Sequence, residues 1–145
     1  MIAVVSSTIK PVIKTREIAN IYGFEDRLEQ TKHTIARLLQ VGFDEIYLVD
    51  NSPLLSQPQL QNLLQGYENV NLYHVPQYQF RNKGINELLM LLYATQFLPP
   101  NENIFKISGR YYPAENFEQP YFEDFAVKGH NYDKKNGYIS TRGYW

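Results

Sequence analysis

Four short apolar runs punctuate the chain, and each ends in polar residues or a turn. Ile2 to Val5 leads into Ser6-Ser7-Thr8, Ile46 to Val49 into Asp50-Asn51-Ser52, Asn69 to Tyr73 into His74-Val75-Pro76, and Ile104, Phe105 and Ile107 into Ser108-Gly109-Arg110. Runs of this length without strict alternation suit strands buried on both faces. The stretches between them have helical spacing. Over 26–42, Leu28, Thr31, Ile35, Leu38 and Leu39 share one face, Asp26 and Glu29 have capping-box spacing, and Gly42 supplies a terminator. Pro58 opens a short helix with Leu60, Leu63 and Leu64 inward and Gly66 at its end. Residues 83–97 form a long helix, stopped by Pro99-Pro100. Its Ile85, Leu88, Leu89, Leu91 and Leu92 cover more than one face, so it is expected to pack along nearly all its length. Residues 7–24 read as a long loop with a turn of helix near 15–20.

Strand alternating with helix predicts an α/β fold. The expectation is a single Rossmann-like domain over 1–145, its mostly parallel sheet flanked by helices, with an aromatic-rich C-terminal segment from about 114. In such sheets ligands bind outside the carboxyl ends of the strands. The polar residues after each apolar run therefore mark where a site belongs.

Composition narrows the choices. A net charge of -1 with no basic stripe argues against nucleic-acid binding. The absence of cysteine removes disulfide, thiolate and cysteine-metal chemistry. No apolar run approaches a membrane span and the N-terminus has no basic leader, so a soluble, cytoplasmic protein with no transmembrane segment is expected. Six of the 12 tyrosines lie between Tyr111 and Tyr144, and such a tail, if exposed, would suit a homo-oligomer.

At the strand ends, Asp50 can accept hydrogen bonds from a ribose or a base N–H, or serve as an ordinary turn aspartate. Ser7, Thr8 and Asn51 are its polar neighbours in the same layer. Arg27 and Thr31 stand one turn apart on the first helix, where Arg27 can hold Asp50, meet a phosphate or remain solvated. In "RNKGINE", Asn82 and Lys83 open the long helix, whose N-terminus attracts anions, and Gly84 allows close approach. Lys106 and Arg110 bracket the fourth strand end, with Gly109 leaving room between them. They suit a cationic clamp for a diphosphate. The plainer alternative turns Lys106 to solvent and pairs Arg110 with Glu102, Glu115 or Glu118. The three histidines match no metal spacing and there is no Asp-x-Asp, so no metal ligands and no required cofactor are assigned. A carboxylate with a substrate diphosphate leaves room for Mg or Mn. Neither a P-loop nor a dinucleotide fingerprint is present.

"RLEQTKHTIARLL", "EIYLVDNS", "NKGINELLMLLYA" and "IFKISGRYYP", in this order, resemble the nucleotide-binding half of a GT-A-type glycosyltransferase. The likeness is to small bacterial and viral members acting in surface-polysaccharide or lipopolysaccharide-core synthesis, with a Lys-x-Ser-Gly-Arg-Tyr run where others carry metal-binding acids. The resemblance implies transfer of a sugar from a nucleotide sugar to a glycan or lipid-linked acceptor. It would set Ser6-Ser7-Thr8 beside the nucleobase, Asp50 on base or ribose, and Asn82-Lys83-Gly84 with Glu87 beside the sugar-phosphate. Lys106, Arg110 and Tyr111 would replace the metal-binding turn, and "ISTRGYW", with Thr141 and Arg142, resembles the strand after an insertion beyond it. Complete domains of the family continue past this point with the acceptor face and general base, so the chain is expected to be truncated relative to them. The rival readings are a catalytically inactive nucleotide-sugar-binding or assembly module, and a nucleotidyltransferase or methyltransferase using Asp50 as a ribose acid.

Overall fold

Val4 and Val5 sit side by side on the first strand, face opposite ways, and are both almost wholly buried. A strand buried on both faces needs a layer on each side, and the computed structural model supplies both. It describes residues 1–12 and 23–117, and beyond them the backbone of three two-residue strands. The helical turn expected near 15–20 lies outside the described residues, as does the side chain of Lys83.

The elements are β1 (Ile2–Ser7), α1 (Phe24–Gln40), β2 (Glu45–Asp50), α2 (Gln57–Leu63), β3 (Val70–His74), α3 (Lys83–Ala94), β4 (Ile104–Ser108), β5 (Tyr132–Asp133), β6 (Tyr138–Ile139) and β7 (Gly143–Tyr144). A 3-10 turn, Thr95–Phe97, closes α3. The main sheet has the order β3-β2-β1-β4-β7. Its first four strands are parallel, and β7 joins β4 antiparallel at Lys106↔Tyr144 and Ile107↔Gly143. β5 and β6 form a separate antiparallel pair. This is an α/β, Rossmann-like architecture.

One face of the sheet carries Ala3, Val5, Ile46, Leu48, Phe105 and Ile107, packed under Leu28, Ile35 and Leu38 of α1 and Leu60 of α2. Phe43 stacks on Phe105 at 5.5 Å, and Phe117 closes over both. α1 begins three residues earlier than the Asp26 cap predicts. Gly23 is the N-cap, and Asp26 sits in the first turn accepting the Gly23 amide at 3.2 Å. A carboxylate inside the first turn satisfies an orphan amide and faces the positive helix end. The other end follows expectation. Gly42 has φ 93, and the Gly42 and Phe43 amides bond back to the carbonyls of Leu39 and Leu38 at 3.2 and 3.0 Å. α2 starts one residue before Pro58, capped by Ser56, whose amide donates to Gln59 Oε1 at 2.8 Å.

Gln57 also reaches sideways. Its carboxamide donates to the Leu72 carbonyl and accepts the His74 amide, both at 2.6 Å, so one side chain pairs with the outer edge of β3.

The opposite face holds Ile2, Val4, Tyr47, Val49 and Val75, covered by Met90 and Ala94 of α3. Tyr73 stacks on Phe97 at 4.3 Å and extends this layer. Here the expectation of full-length packing fails. Ile85, Leu88 and Leu92 are 44%, 56% and 57% exposed. A helix apolar on most of its circumference can bury only one stripe, and the stripe chosen is Glu87-Met90-Ala94.

The two stripes give opposite expectations. Met90→Ala removes a buried side chain and is expected to cost about 2–5 kcal/mol. Leu88→Ala is expected to stay within about 0.5 kcal/mol. Urea melts of the two variants check this, and equal losses would place Leu88 in the core.

Candidate functional site

The parallel register brings four strand tips to one crest, with Ser7 beside Asp50, Asp50 beside His74, and Ser6 beside Ser108. Asp50 is fully buried there. Its Oδ2 accepts from Ser7 Oγ at 2.5 Å and from the Ile9 amide at 2.8 Å, and its Oδ1 accepts the Ser52 amide at 2.8 Å. One carboxylate thus ties the loop after β1 to the turn after β2. Asn51 and Ser52 complete the tie. Thr8 Oγ1 donates to Asn51 Oδ1 at 2.5 Å, the Asn51 amide donates to the Ser7 carbonyl at 3.1 Å, and the Lys10 amide donates to Ser52 Oγ at 2.8 Å. His74 Nε2 donates to the Ser52 carbonyl at 2.8 Å, which fixes the protonated nitrogen. Ser7, Thr8, Asp50 and Asn51 therefore form one cluster, as their strand-end positions suggest. Its acid points into the loops, bonded as a turn aspartate is.

On the α1 side, Thr31 Oγ1 donates to the carbonyls of Arg27 and Gly109 at 2.8 and 3.2 Å. Thr34 Oγ1 does the same one turn later, reaching the Tyr111 carbonyl at 2.7 Å. Gly109 is buried, and a Cβ there would lie 3.1 Å from Thr31 Oγ1 and 3.2 Å from the Ser7 Cβ. The glycine lets α1 and β1 approach the β4 turn; the space it leaves is filled by protein, which corrects the expectation of room for a ligand. Arg27 Nη1 donates to the Thr8 carbonyl at 3.1 Å. Burial lowers the Arg27 pKa, and the charge of Arg110 lowers it further. Arg110 itself is exposed and makes no ion pair among the described residues, so pairing with Glu102 or Glu115 is not observed. Glu118 lies outside those residues. Tyr111 is exposed at the same turn, its amide bonded to the Ser108 carbonyl at 3.0 Å.

On the α3 side lies a buried ion pair. Lys106, only 3% exposed, donates to Glu87 Oε1, which also accepts from Ser6 Oγ at 2.9 Å. Desolvation lowers the Lys106 pKa, while the hydrogen bond and charge of Glu87 pull it back up. This corrects both sequence readings of Lys106, since it turns neither to solvent nor toward Arg110. The physical reason is its face. Lys106 pairs in register with Val4, whose side chain is under α3, whereas Arg110 lies past the tip within the electrostatic reach of Arg27.

The α3 N-terminus is less open to an anion than its sequence suggests. Asn82 caps it, accepting the Gly84 and Ile85 amides at 2.9 and 3.4 Å. Lys83 is the first helical residue. Among the described residues, no three His, Asp or Glu side chains gather as metal ligands would, and no helix is long and apolar enough to cross a membrane.

Ser52 was marked in the sequence only as the end of the turn begun by Asp50. Ser6 and Glu87, which the resemblance set beside a nucleobase and a sugar-phosphate, are bonded to each other, and Glu87 to Lys106. What emerges is a Rossmann-like domain with a hydrogen-bonded polar crest, cations on its α1 side and a neutralised pair on its α3 side. Comparison with protein-family models, curated proteins and solved structures gave no match.

Two variants test the bonding. Asp50→Asn replaces an acceptor of three donors with a group that presents one oxygen and an NH₂, and is expected to cost at least about 2 kcal/mol in a denaturant melt. A near-neutral result would show that the carboxylate does not hold the loops. Glu87→Gln takes a carboxylate from beside the buried Lys106 charge, with an expected loss of about 3–5 kcal/mol, most of it recovered in Glu87→Leu with Lys106→Met. With its folded pKa below the unfolded value of 10.5, Lys106 holds fewer protons in the folded chain between the two, so the Glu87→Gln deficit should shrink as pH rises toward 10.5. A deficit independent of pH would assign the loss to something other than the ammonium.

Proposed function

We propose that the chain binds a nucleotide-diphosphate sugar at the crest and acts as the donor-binding half of a glycosyltransferase of surface-polysaccharide synthesis, serving a glycan or lipid-linked acceptor. The observation that carries this reading is the place of the Lys-x-Ser-Gly-Arg-Tyr stretch. It ends a central parallel strand beside β1, at the edge where open α/β sheets bind ligands. The antiparallel β7 beside β4 adds support, because it falls within the terminal stretch that resembles the strand after an insertion beyond this turn. Ser7, Thr8 and Asn51 line the crest with groups suited to a base and ribose, and Arg27 and Arg110 add positive charge for phosphates.

A second reading is favoured by one observation. Three carboxylates at this end of the sheet are occupied: Asp50 by three donors, Glu87 by Ser6 and Lys106, and Asp26 by the Gly23 amide. Among these acids, none stands ready as the general base that inverting transfer requires. That favours a nucleotide-sugar-binding or assembly module without transfer of its own.

A thermal-shift screen against UDP-, GDP-, ADP- and CMP-sugars, each with and without Mg²⁺ or Mn²⁺, tests the shared part. One nucleotide class is expected to raise the melting temperature in a concentration-dependent way. Silence across the whole panel would overturn nucleotide-sugar binding. Release of free nucleotide from a stabilising donor separates the enzyme from the module.

A further inference from the structure

We propose that the outward face of α3 is the surface through which two copies of this chain pair, antiparallel, about a two-fold axis. The inference is independent of the nucleotide-sugar reading and starts from what the fold leaves uncovered. Ile85, Leu88 and Leu92 are exposed, and Leu89 is half-buried beside them. Their spacing of i, i+3, i+4 and i+7 sets them on one stripe, on the side of the helix away from Met90 and Ala94, which face the sheet. Phe80, 55% exposed, precedes the helix. Its backbone is fixed to α3, because its amide donates to Asn86 Oδ1 and its carbonyl accepts from Asn86 Nδ2, both at 2.8 Å. The other polar side chains along the helix are satisfied at home. Thr95 Oγ1 donates to the Leu92 carbonyl and Gln96 Nε2 to the Tyr93 carbonyl, each at 2.7 Å. Covering this face therefore strands no polar group.

The occupant follows from symmetry, charge and area. The stripe reads the same in both directions, since reversal about the Leu88–Leu89 midpoint exchanges Ile85 with Leu92 and Leu88 with Leu89. An isologous contact between identical chains requires such self-complementarity. Arg81 precedes α3 at the crest end and Glu102 follows its closing turn at the other. Antiparallel copies bring these unlike charges to each end, whereas parallel copies bring like ones together. A lipid surface is the weaker match, because interfacial helices flank their apolar face with Lys and Arg. From Gly84 to Gln96 the one charged residue is Glu87, which bonds inward to Lys106. Five apolar side chains exposed to this degree make a patch of about 300–600 Å², the size at which such patches mark interaction sites on monomers. A standard stable interface takes about 800 Å² from each partner. The pair is accordingly a weak one, in the micromolar range.

The test is sedimentation equilibrium of the full chain across about 5–500 µM, the range over which a micromolar dimer passes from mostly apart to mostly paired. The average mass of the wild type is expected to climb from that of one chain toward that of two. Leu88→Glu sets like charges against each other near the axis and is expected to weaken pairing by about 10-fold or more. Leu54→Glu, a charge on another exposed leucine in the turn before α2, is expected to change it by less than about 2-fold. Ile85→Glu and Leu92→Lys should each weaken pairing alone, and mixing the two variants should restore it. The antiparallel register sets the new acid of one chain against the new base of the other, a recovery that a misfolded variant could not give. A wild type that stays single at every concentration would overturn the proposal, as would pairing that Leu88→Glu leaves unchanged. Pairing lost in both single variants without recovery on mixing would overturn the antiparallel register. A single chain that instead binds phosphatidylcholine vesicles would overturn the pair and hand the face to lipid.

Discussion

A single buried carboxylate organises the functional end of this sheet. Asp50 has no solvent contact, and it remains an acceptor because three donors converge on it from two loops far apart in sequence. Buried charge is tolerated only with such compensation. The consequence is reciprocal. The loop after β1 has a fixed path because Ile9 and Ser7 are held, and the turn after β2 has a fixed path because Ser52 is held. Thr8, Asn51 and Lys10 take their positions from that frame, and Arg27 takes its anchor from Thr8.

The two layers flanking the sheet solve different problems. Under α1 and α2 the contact is apolar and aromatic, with Phe43, Phe105 and Phe117 filling the lower end. Under α3 the apolar stripe is short, and an ion pair bridges helix and strand near the crest. Such a pair adds little net stability over apolar residues of the same volume. What it adds is direction, because a salt-bridged Glu87 fixes which stripe of α3 faces inward. The same chemistry sorts the cations into different environments. Lys106 is matched inside by Glu87, Arg27 is half-buried against the Thr8 carbonyl, and Arg110 is exposed past the strand tip.

The four parallel strands were legible in the sequence because unbroken apolar runs leave no other economical burial, whereas their order across the sheet is recorded by no local pattern. α1 was legible through Leu28, Ile35 and Leu38, and its start shifted only because a first-turn aspartate and a cap aspartate look alike in a string of letters. α3 was misread for a physical reason. Leu88, Leu89, Leu91 and Leu92 fall on more than one face and conceal the inward stripe, and a glutamate inside it looks like an exposed residue until its lysine is found 19 positions away. The grouping of Ser7, Thr8, Asp50 and Asn51 was visible from strand ends alone. The direction of the Asp50 oxygens was not, because it depends on amides 41 residues upstream and two residues downstream. Gly109 was read as space for a ligand, whereas the need for glycine comes from Thr31 and Ser7, whose approach no local pattern records.

The carboxamide of Gln57 on the rim of β3 bears on a different hazard. An open sheet ends in two rows of backbone donors and acceptors, and bare rows recruit strands from other molecules into aggregates. At one rim Gln57 occupies a carbonyl and an amide two residues apart, the pair that an added parallel strand would seize first. At the other rim, β7 lies against the second half of β4 in the opposite direction. One side chain and one two-residue strand thus serve as bookends, each occupying part of a rim on which a foreign chain could start to grow.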